Sequence, residues 1–493
     1  MKTGFLLGFN KKLIIRTIAT VLLIEGVAMV PAGVLALFDG DISAGKGILI
    51  SAGIILAIAL MGRLYVGNHA TKIKARESYF IVLVSWITAI TAGMFPYLLA
   101  VKDFGFVNAL FESAATWTTT NAWVVDINML PRGLVLWKAT SSWLGGMGII
   151  LLTIIIFTAL GVGGQKLAGA EIAGPELEKH TARIADTAKL LYVLYGVGSL
   201  IEVILLKATG LPIFDAVINT MSSISTSGTM DYNNVLSAHF TSAVKIVIVL
   251  FSILASLNFA VYVRIIKRKY KDALRDFEMN TFLIIIASAT VIISLILFLG
   301  GTYTSLWDSF LNSITGVVSF ACTTGFTLEH VEYWPGATKF MLMVLMLIGG
   351  CAASTAGGIK IIRFSVLVKL VNRGVYKRIH PRAVKPVMIR NESVSTANAT
   401  SISTYVLLFF AVYLLGCWLL SLENLDMETT ITAPMALLTN CGEGFGAVSG
   451  AGYGFFSSPG KLVCVLLMIM GRLEIYALLI LVSRSFWNPN RAS

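Results

Sequence analysis

The chain has 493 residues, of which 56% are apolar and only 13% are charged, and its formal net charge is +12. So much apolar surface exceeds what a soluble core needs and argues against the soluble classes. A basic chain can serve nucleic acid or a membrane, but these basic residues lie in separate short loops and not on one folded surface, which argues against nucleic acid.

The apolar runs predict an all-α polytopic membrane protein with about ten spans, because a bilayer core takes about 20 helical residues per span. In chain order the runs cover residues 12–37, 45–66, 78–101, 135–160, 188–209, 241–266, 279–300, 338–371, 402–421 and 460–484. The first run is longer than the apolar core of a secretory signal and continues into the protein, so we interpret it as a retained helix.

The basic residues gather at the N-terminus and in alternate loops. The groups are Lys11, Lys12 and Arg16; Lys72, Lys74 and Arg76; Arg264 to Arg275; and Lys360 to Arg390. The positive-inside rule makes these loops cytoplasmic, and with them both termini.

Neither metal chemistry nor nucleophilic chemistry has a recognisable pattern. The cysteines are odd in number and never spaced C-x-x-C, which predicts buried apolar side chains and neither disulfides nor zinc: Cys322, Cys351, Cys417, Cys441 and Cys464. The histidines lie in or near loops without ligand spacing: His69, His180, His239, His330 and His380. These patterns argue against an intramembrane enzyme.

The first two spans predict an N-terminal hairpin over residues 1–70. Glu25 lies in the middle of its first span, where a charge costs about 2.5–3.5 kcal/mol on insertion scales. We therefore expect Glu25 to face a neighbouring helix as a structural partner.

After Arg76 one pattern occurs four times: a first span, a short apolar segment, a turn rich in Thr, Ser and Gly, and a second span. Anchor residues in the turns, Asn121, Gly228, Gly325 and Gly442, are separated by 107, 97 and 117 residues. This spacing indicates an internal repeat with a fourfold-like architecture. We expect repeats 1 to 4 to cover residues 71–165, 166–275, 276–390 and 391–493.

The short segments, such as residues 108–117 and 215–224, reach roughly 15 Å as helices, about half way across a bilayer. We interpret them as re-entrant helices that enter from the outer side, and we call them pore helices. Each helix C-terminus carries about half a negative charge. Four such ends around one axis favour a cation there.

The anchor turns suit a cation that has lost its water. Backbone carbonyls supply oxygen ligands without a net charge that would trap the ion, and glycine permits the dihedral angles that aim them. The predicted filter consists of Thr119, Thr120, Asn121, Thr226, Ser227, Gly228, Thr323, Thr324, Gly325, Asn440, Cys441 and Gly442.

Acidic residues follow the turns on the outer face, namely Asp126, Asp231, Glu329, Glu332 and Glu443. Acids at an outer mouth raise the local cation concentration. Simple solvated loops explain each of them individually as well.

Taken together, these residues resemble the TrkH and KtrB subunits of the Trk/Ktr/HKT potassium transporters over essentially the whole chain. The resemblance is carried by the turns TTTNA, STSGT, CTTGF and TNCGEG, the segment GGCAASTAGG at 349–358, and GRLEIYALL at 471–479. It implies K⁺ as the transported ion at the twelve filter residues, no organic cofactor in this chain, a homodimer, and a cytoplasmic nucleotide-binding regulatory subunit of TrkA or KtrA type. It also implies the cytoplasmic (inner) membrane as the location.

Two residues depart from the family pattern. Asn121 replaces the usual first glycine, and in the related plant transporters a serine at this place is associated with sodium permeation. Glu443 stands where the family commonly has proline, which puts a carboxyl group beside the filter.

The resemblance also implies a gate below the filter. The segment 349–358, which we call the gating loop, contains Gly349, Gly350, Gly357 and Gly358, and Arg472 would stand beside the pore as a fixed positive charge. Close helix packing through small residues is the alternative for the loop. A salt bridge between Arg472 and a buried acid such as Glu202 is the alternative for the arginine.

Two other functions remain open from the residues. Asn121 is compatible with a sodium-permeable or poorly selective cation channel. A secondary transporter for an organic or anionic solute would direct half-helix N-termini at its substrate, whereas the predicted pore helices present their C-termini.

Overall fold

Helices dominate the part of the chain that the computed structural model describes, which is residues 10–67, 75–148, 181–239, 241–326, 331–383, 385–389, 392–482 and 484–487. The α-helices are α1 (Lys11–Phe38), α2 (Ile42–Val66), α3 (Ala75–Gly93), α4 (Phe95–Ala100), α5 (Phe106–Trp117), α6 (132–148), α7 (Thr181–Ala208), α8 (Ile213–Ile224), α9 (Val235–Ala238), α10 (Ser242–Ser256), α11 (Phe259–Ile266), α12 (Tyr270–Leu274), α13 (Phe277–Leu299), α14 (Leu306–Ala321), α15 (Gly336–Ile348), α16 (Ile361–Ile379), α17 (Thr396–Ser421), α18 (Met427–Leu438), α19 (Ser458–Arg472), α20 (Glu474–Val482) and α21 (Arg484–Trp487). Short 3₁₀ helices cover Ile127–Met129, Tyr232–Asn234, Val331–Tyr333 and Gly446–Val448, and strands β1 (Met388–Ile389) and β2 (Glu392–Ser393) pair antiparallel.

Six apolar segments among the described residues are long enough to cross a membrane as single helices or, in one case, as a helix pair: α1, α2, α3 with α4, α7, α13 and α17. The predicted spans at 241–266 and 460–484 are interrupted instead, and the one at 338–371 is interrupted at the gating loop, as the glycines of that segment predict. They divide into α10 and α11, α15 and α16, and α19 and α20. The predicted span at 135–160 corresponds to α6 as far as residue 148, and the rest of it lies outside the described residues.

Only one of the three interruptions is rich in glycine. Between α10 and α11, Leu257 is extended and ends the first helix, and Asn258 begins the next because its side chain accepts a hydrogen bond from the Ala260 N–H (2.9 Å). Between α19 and α20, Leu473 is followed by Glu474 in a left-handed conformation (φ 53°). Breaks of this kind have local causes that a hydropathy pattern does not reveal.

Helices α1 and α2 form the predicted hairpin. Asp41 begins α2 by accepting a hydrogen bond from the Ala44 N–H (3.0 Å). Glu25 is fully buried, and its Oε1 lies 3.1 Å from the position that a side-chain carbon on Gly93 would take. Glu25 therefore faces α3 of repeat 1.

The pore helices are α5, α8, α14 and α18, with 12, 12, 16 and 12 residues. Each is too short to cross a bilayer core of about 30 Å. Each ends at one of the four anchor turns.

Lysines connect successive repeats. The fourth residue of the second span is lysine in repeats 2, 3 and 4, and each reaches the next pore helix around the ring. The contacts are Lys245 to Asn312 on α14 (2.9 Å), Lys339 to Glu428 on α18 (3.1 Å), and Lys461 to Asn108 on α5 (3.0 Å). The last contact joins repeat 4 to repeat 1, and the Asn233 N–H of repeat 2 donates to the Asn128 side-chain oxygen of repeat 1 (2.6 Å). The repeats therefore follow one another in a closed ring, and repeats 1 and 3 face each other.

In repeat 1 the corresponding contact is a buried ion pair between two residues of the same repeat. The Glu112 carboxylate on α5 accepts a hydrogen bond from the Lys138 ammonium of α6 (2.7 Å) and further bonds from the Val124 and Val125 N–H groups (2.8 and 3.2 Å). The charges are paired and hydrogen-bonded, as a buried ion pair requires. This pair fixes the loop that follows the first anchor turn.

Candidate functional site

All four pore helices end in the same backbone motif. The residue after each cap is left-handed: Thr119 (φ 53°), Thr226 (56°), Thr323 (50°) and Asn440 (56°). The next backbone N–H bonds five residues back: Thr120 to Ala115 (2.8 Å), Ser227 to Ser222 (2.8 Å), Thr324 to Ser319 (3.0 Å) and Cys441 to Ala436 (2.9 Å). These are the bonds of a Schellman cap, which satisfies the last carbonyls of a helix. The predicted turns therefore share one conformation despite their different sequences.

The four anchors meet. A side-chain carbon on Gly228 would lie 2.3 Å from Asn121 Cγ, one on Gly325 would lie 2.1 Å from the Cys441 carbonyl oxygen, and one on Gly442 would lie 2.3 Å from the Asn121 carbonyl carbon. These glycines also have positive φ angles of 105°, 64° and 82°. No other residue fits these positions without strain. The predicted filter residues of four distant segments thus form one cluster.

The left-handed residues leave oxygen atoms available in this cluster. Among the described residues, no donor reaches the carbonyl oxygens of Thr119, Thr226, Thr323 and Asn440. The buried Thr119 hydroxyl has no partner there either. Buried carbonyls are normally hydrogen-bonded, so four unpaired carbonyls in equivalent positions suit a cation that has shed its water.

Asn121 is the exception among the anchors. It is not among the described residues with positive φ. Its side-chain amide donates to the Gly325 carbonyl oxygen, and its backbone N–H donates to the Cys441 carbonyl oxygen (3.3 Å). Because repeats 1 and 3 face each other, the amide crosses between opposite sides of the cluster. The Asn121 side chain, which stands where the other three anchors have only the hydrogen atom of glycine, therefore occupies the middle of the predicted filter.

Two side chains support repeat 4, and the sequence reasoning missed one of them, Tyr453. The Tyr453 hydroxyl donates to the Gly442 carbonyl oxygen (2.9 Å). The Asn440 side-chain amide, in a residue predicted only for its backbone, donates to the Thr120 hydroxyl (3.0 Å) and to the Met468 carbonyl (2.9 Å). Tyr453 carried no signal, because it follows its anchor by eleven residues in a loop without a motif.

Glu443 is buried directly after the fourth anchor. Burial raises the pKa of the Glu443 carboxyl to about 8, the hydrogen bond from the Ser449 hydroxyl (3.2 Å) opposes this change in pKa, and the nearby Glu332 carboxylate adds to it. The Glu443 carboxyl therefore loses its proton at a higher pH than an ordinary glutamate does.

The other outer acids have local partners where they are described. Asp126 accepts a hydrogen bond from the Asn128 N–H (2.9 Å), and Asp231 accepts one from the Leu236 N–H (2.7 Å). Glu329 lies outside the described residues. Asp126 and Asp231 thus order their own loops.

The gating loop lies directly against the anchor turns. The Gly357 N–H donates to the Thr323 hydroxyl (2.6 Å), and the Gly358 N–H donates to the Thr439 carbonyl (3.1 Å). A side-chain carbon on Gly357 would lie 1.9 Å from that Thr439 oxygen. The glycine permits this close approach. The loop is therefore in contact with two of the four turns.

Arg472 joins the gating loop to repeat 1. It is 4% exposed, and its guanidinium donates to the Thr355 carbonyl (2.8 Å) and to the Gly145 carbonyl (3.0 Å). The ion pair with Glu202 does not occur in the described structure, where the Glu202 carboxylate accepts from the Ser223 hydroxyl (2.5 Å). Among the described residues, the positive charge of Arg472 is thus held by two carbonyl oxygens and by the face of the Trp86 ring, 6.0 Å from the guanidinium carbon.

Comparison with known proteins decides the family. The family model for TrkH, described as a cation transport protein, matches residues 46–489. The chain belongs to the TrkH family. This agrees with the fold expected from the sequence, an all-α polytopic membrane protein.

The TrkH-family relatives match over nearly their full lengths. The Trk system potassium uptake protein TrkH of Halomonas elongata is 31% identical over 486 residues, which are 97% of this chain and 99% of that protein. The protein of the same name from Salmonella typhimurium is 29% identical over 473 residues, covering 95% and 97%. The crystal structure of the potassium transporter TrkH from Vibrio parahaemolyticus superimposes with a TM-score of 0.88 at 28% identity, covering 97% of this chain and 99% of that one.

Proposed function

We propose that this protein takes K⁺ into the cell across the cytoplasmic membrane, down its electrochemical gradient, through one gated pore per chain. The observation that carries the proposal is the set of four left-handed turns with unpaired carbonyl oxygens, joined at anchors that touch. Backbone carbonyls replace the water shell of a cation without trapping it. The potassium uptake named for the relatives supports the choice of ion.

The twelve predicted residues serve as the filter in this proposal. The repeats have the boundaries expected from the sequence, both termini are cytoplasmic, and the chain forms a homodimer on a cytoplasmic nucleotide-binding subunit of TrkA or KtrA type. The relatives' designation as parts of a Trk system supports a multicomponent assembly.

The gating loop and Arg472 form the gate. Contact between the loop and two anchor turns supports this role, as does a buried guanidinium that no described carboxylate pairs with. A fixed positive charge below the filter raises the energy of a passing cation. Conduction then requires the loop and the arginine to move away from the axis.

A sodium-permeable or poorly selective channel is the second candidate. Asn121 supports it, because an anchor without a positive φ presents a different carbonyl geometry from the other three. The solute transporter finds less support, since the four pore helices direct C-termini toward the cluster.

Rubidium and sodium uptake into liposomes that contain the purified protein tests the proposal. We expect uptake of Rb⁺ by the unmodified chain and almost none by Gly325→Ala, because the added carbon would lie 2.1 Å from the Cys441 carbonyl oxygen. Gly336→Ala is the matched control, since nothing lies within 4 Å of its added carbon. Absence of Rb⁺ and Na⁺ uptake by the unmodified chain, or full Rb⁺ uptake by Gly325→Ala, would refute the pore.

The pKa of Glu443 predicts that uptake depends on the outer pH. Between about pH 7 and 9 the group loses its proton, and we expect Rb⁺ uptake to rise because a negative charge then attracts cations to the mouth. Glu443→Gln should flatten the profile. Ser449→Ala should move its midpoint to higher pH, because the bond that lowers the Glu443 pKa is lost. An unchanged rise in Glu443→Gln would exclude this residue as the cause.

A further inference from the structure

One carboxylate holds the gating loop from the side opposite the anchor turns. Glu278, in the first turn of α13, accepts a hydrogen bond at Oε1 from the Ala352 backbone N–H (2.5 Å). The side chain is buried, with 6% of the residue exposed. Loss of this acceptor would leave the buried Ala352 N–H without a partner, which costs about 1–3 kcal/mol. The first span of repeat 3 is thereby attached to a loop that lies 74 residues later in the chain.

The same carboxylate also reaches repeat 2. Its Oε2 accepts a hydrogen bond from the Asn258 side-chain amide (3.2 Å). Asn258 lies at the break between α10 and α11, so the carboxylate joins the broken span of repeat 2 to the broken span of repeat 3.

Backbone bonds run beside this junction. The Cys351 N–H donates to the Ser256 carbonyl (3.1 Å), and the Phe259 N–H donates to the Ala353 carbonyl (3.1 Å). The two interrupted spans therefore pair through their backbones on both sides of Ala352, and Glu278 accepts the N–H between them.

Ala353 explains why the loop needs such attachment. It has φ 50°, in the left-handed region that alanine rarely adopts. A residue in such a conformation persists only where its surroundings hold it. If the bonds at Ala352 and Ala353 are lost, the loop can relax to ordinary backbone angles.

We propose that Glu278 is a positioning residue that latches the gating loop in its pore-blocking conformation. This inference rests on the proposed function, in which the loop is the gate. The Glu278 carboxylate joins the gating loop to the break between α10 and α11, so a displacement of α11 is transmitted through Asn258 to Ala352. Movement at the cytoplasmic end of repeat 2 thus releases the gating loop of repeat 3 from its pore-blocking conformation.

The path from the cytoplasmic loop to the latch is short. The Arg264 guanidinium on α11 pairs with the Asp276 carboxylate (2.7 Å), and Asp276 caps α13 by accepting hydrogen bonds from the Glu278 and Met279 N–H groups (both 3.1 Å). Helix α11 is thereby tied to the very turn that carries Glu278. A cytoplasmic partner that shifts α11 would act on the latch directly.

Cys351 provides a readout that does not depend on ion flow. Its thiol is fully buried next to Ala352, and mass spectrometry of the labelled peptides distinguishes it from the other four cysteines, so Cys441 of the predicted filter stays in place. We expect Glu278→Ala, purified in detergent, to react with N-ethylmaleimide at Cys351 about tenfold faster than its parent, because the buried Ala352 N–H no longer has its acceptor. In liposomes the same change should raise basal Rb⁺ uptake about tenfold.

Conservative variants separate the latch from general damage. In Glu278→Gln the amide oxygen still accepts from the Ala352 N–H, while the bond from Asn258 is lost. The increases in labelling rate at Cys351 and in basal Rb⁺ uptake should therefore be smaller than in Glu278→Ala. Asn258→Ala should give similarly small increases. Asp272→Ala, an exposed acid on α12, is the control and should change neither readout.

The two readouts distinguish the latch from the gate. Faster labelling with unchanged Rb⁺ uptake would support the latch and refute the loop as the gate. Unchanged labelling in both folded Glu278 variants would overturn the latch, whatever the Rb⁺ uptake of the unmodified chain. If Glu278→Ala does not fold, the labelling rates of Glu278→Gln and Asn258→Ala decide between these outcomes.

Discussion

Replacing Asn121 by glycine is expected to raise Rb⁺ uptake and to increase the preference for Rb⁺ over Na⁺. The amide now donates to the Gly325 carbonyl across the cluster. A neutral hydrogen bond contributes about 0.5–1.5 kcal/mol net, so its loss alone eases entry of a cation about 2- to 10-fold. Glycine also permits the positive φ of the other three anchors. Residue 121 can then adopt the same backbone conformation as the other three anchors.

Two further variants test which property of Asn121 matters. Asn121→Ala removes the amide without granting the freedom of glycine, so it should raise uptake but improve selectivity less. Asn121→Asp keeps the size but adds a negative charge, which should bind cations tightly and slow their passage.

Asn424→Gly is the control for Asn121→Gly, because Asn424 is exposed in an outer loop and already has φ 55°. The measurement is paired Rb⁺ and Na⁺ uptake into liposomes at equal protein content. Identical ion ratios in Asn121→Gly and the unmodified chain would remove Asn121 as a determinant of selectivity.

Arg472→Ala should show the largest increase in basal uptake. A unit charge about 5 Å from a passing cation raises its energy by roughly 3 kcal/mol at an effective dielectric constant of about 20. Removal of that charge therefore permits an increase of up to about 100-fold. The loop also loses the bond at the Thr355 carbonyl (2.8 Å).

The same change should lower stability. The Thr355 and Gly145 carbonyls would lose their buried donor, at about 1–3 kcal/mol for each unsatisfied group, so thermal unfolding should occur at a lower temperature. Arg472→Lys retains the charge and should keep uptake low, whereas Arg378→Ala, exposed in the last turn of α16, should change neither property. A folded Arg472→Ala with unchanged or reduced uptake would contradict the barrier.

The repeats could be predicted from the sequence because they depend on local chemistry. A pore helix ends where its cap residue is followed by one that accepts a left-handed conformation, and glycine follows shortly after. Thr323, Thr324 and Gly325 have this pattern in its plainest form. Asn440 differs from threonine in sequence, yet it takes the same φ because asparagine tolerates that region.

The sequence did not predict the breaks in the second spans of repeats 2 and 4, nor the partners of the gating loop. Leu257 and Leu473 continue apolar runs, yet the helices end there: Leu257 is extended and precedes the cap residue Asn258, and Leu473 precedes the left-handed Glu474. Glu278 directly precedes the predicted span at 279–300, and no motif marks it. Its partners Asn258 and Ala352 lie 20 and 74 residues away.

The sequence alone determined the membrane class, the repeated pore helices and the four anchor turns. Hydropathy, repeat spacing and cap residues act within about one helical turn or one span, so they appear directly in the order of residues. Only the tertiary structure decided that the Asn121 amide crosses to Gly325, that Arg472 is held by carbonyls instead of by Glu202, and that Glu278 holds the gating loop. Such contacts join distant segments, and buried polar groups choose partners by three-dimensional proximity, which no local pattern encodes.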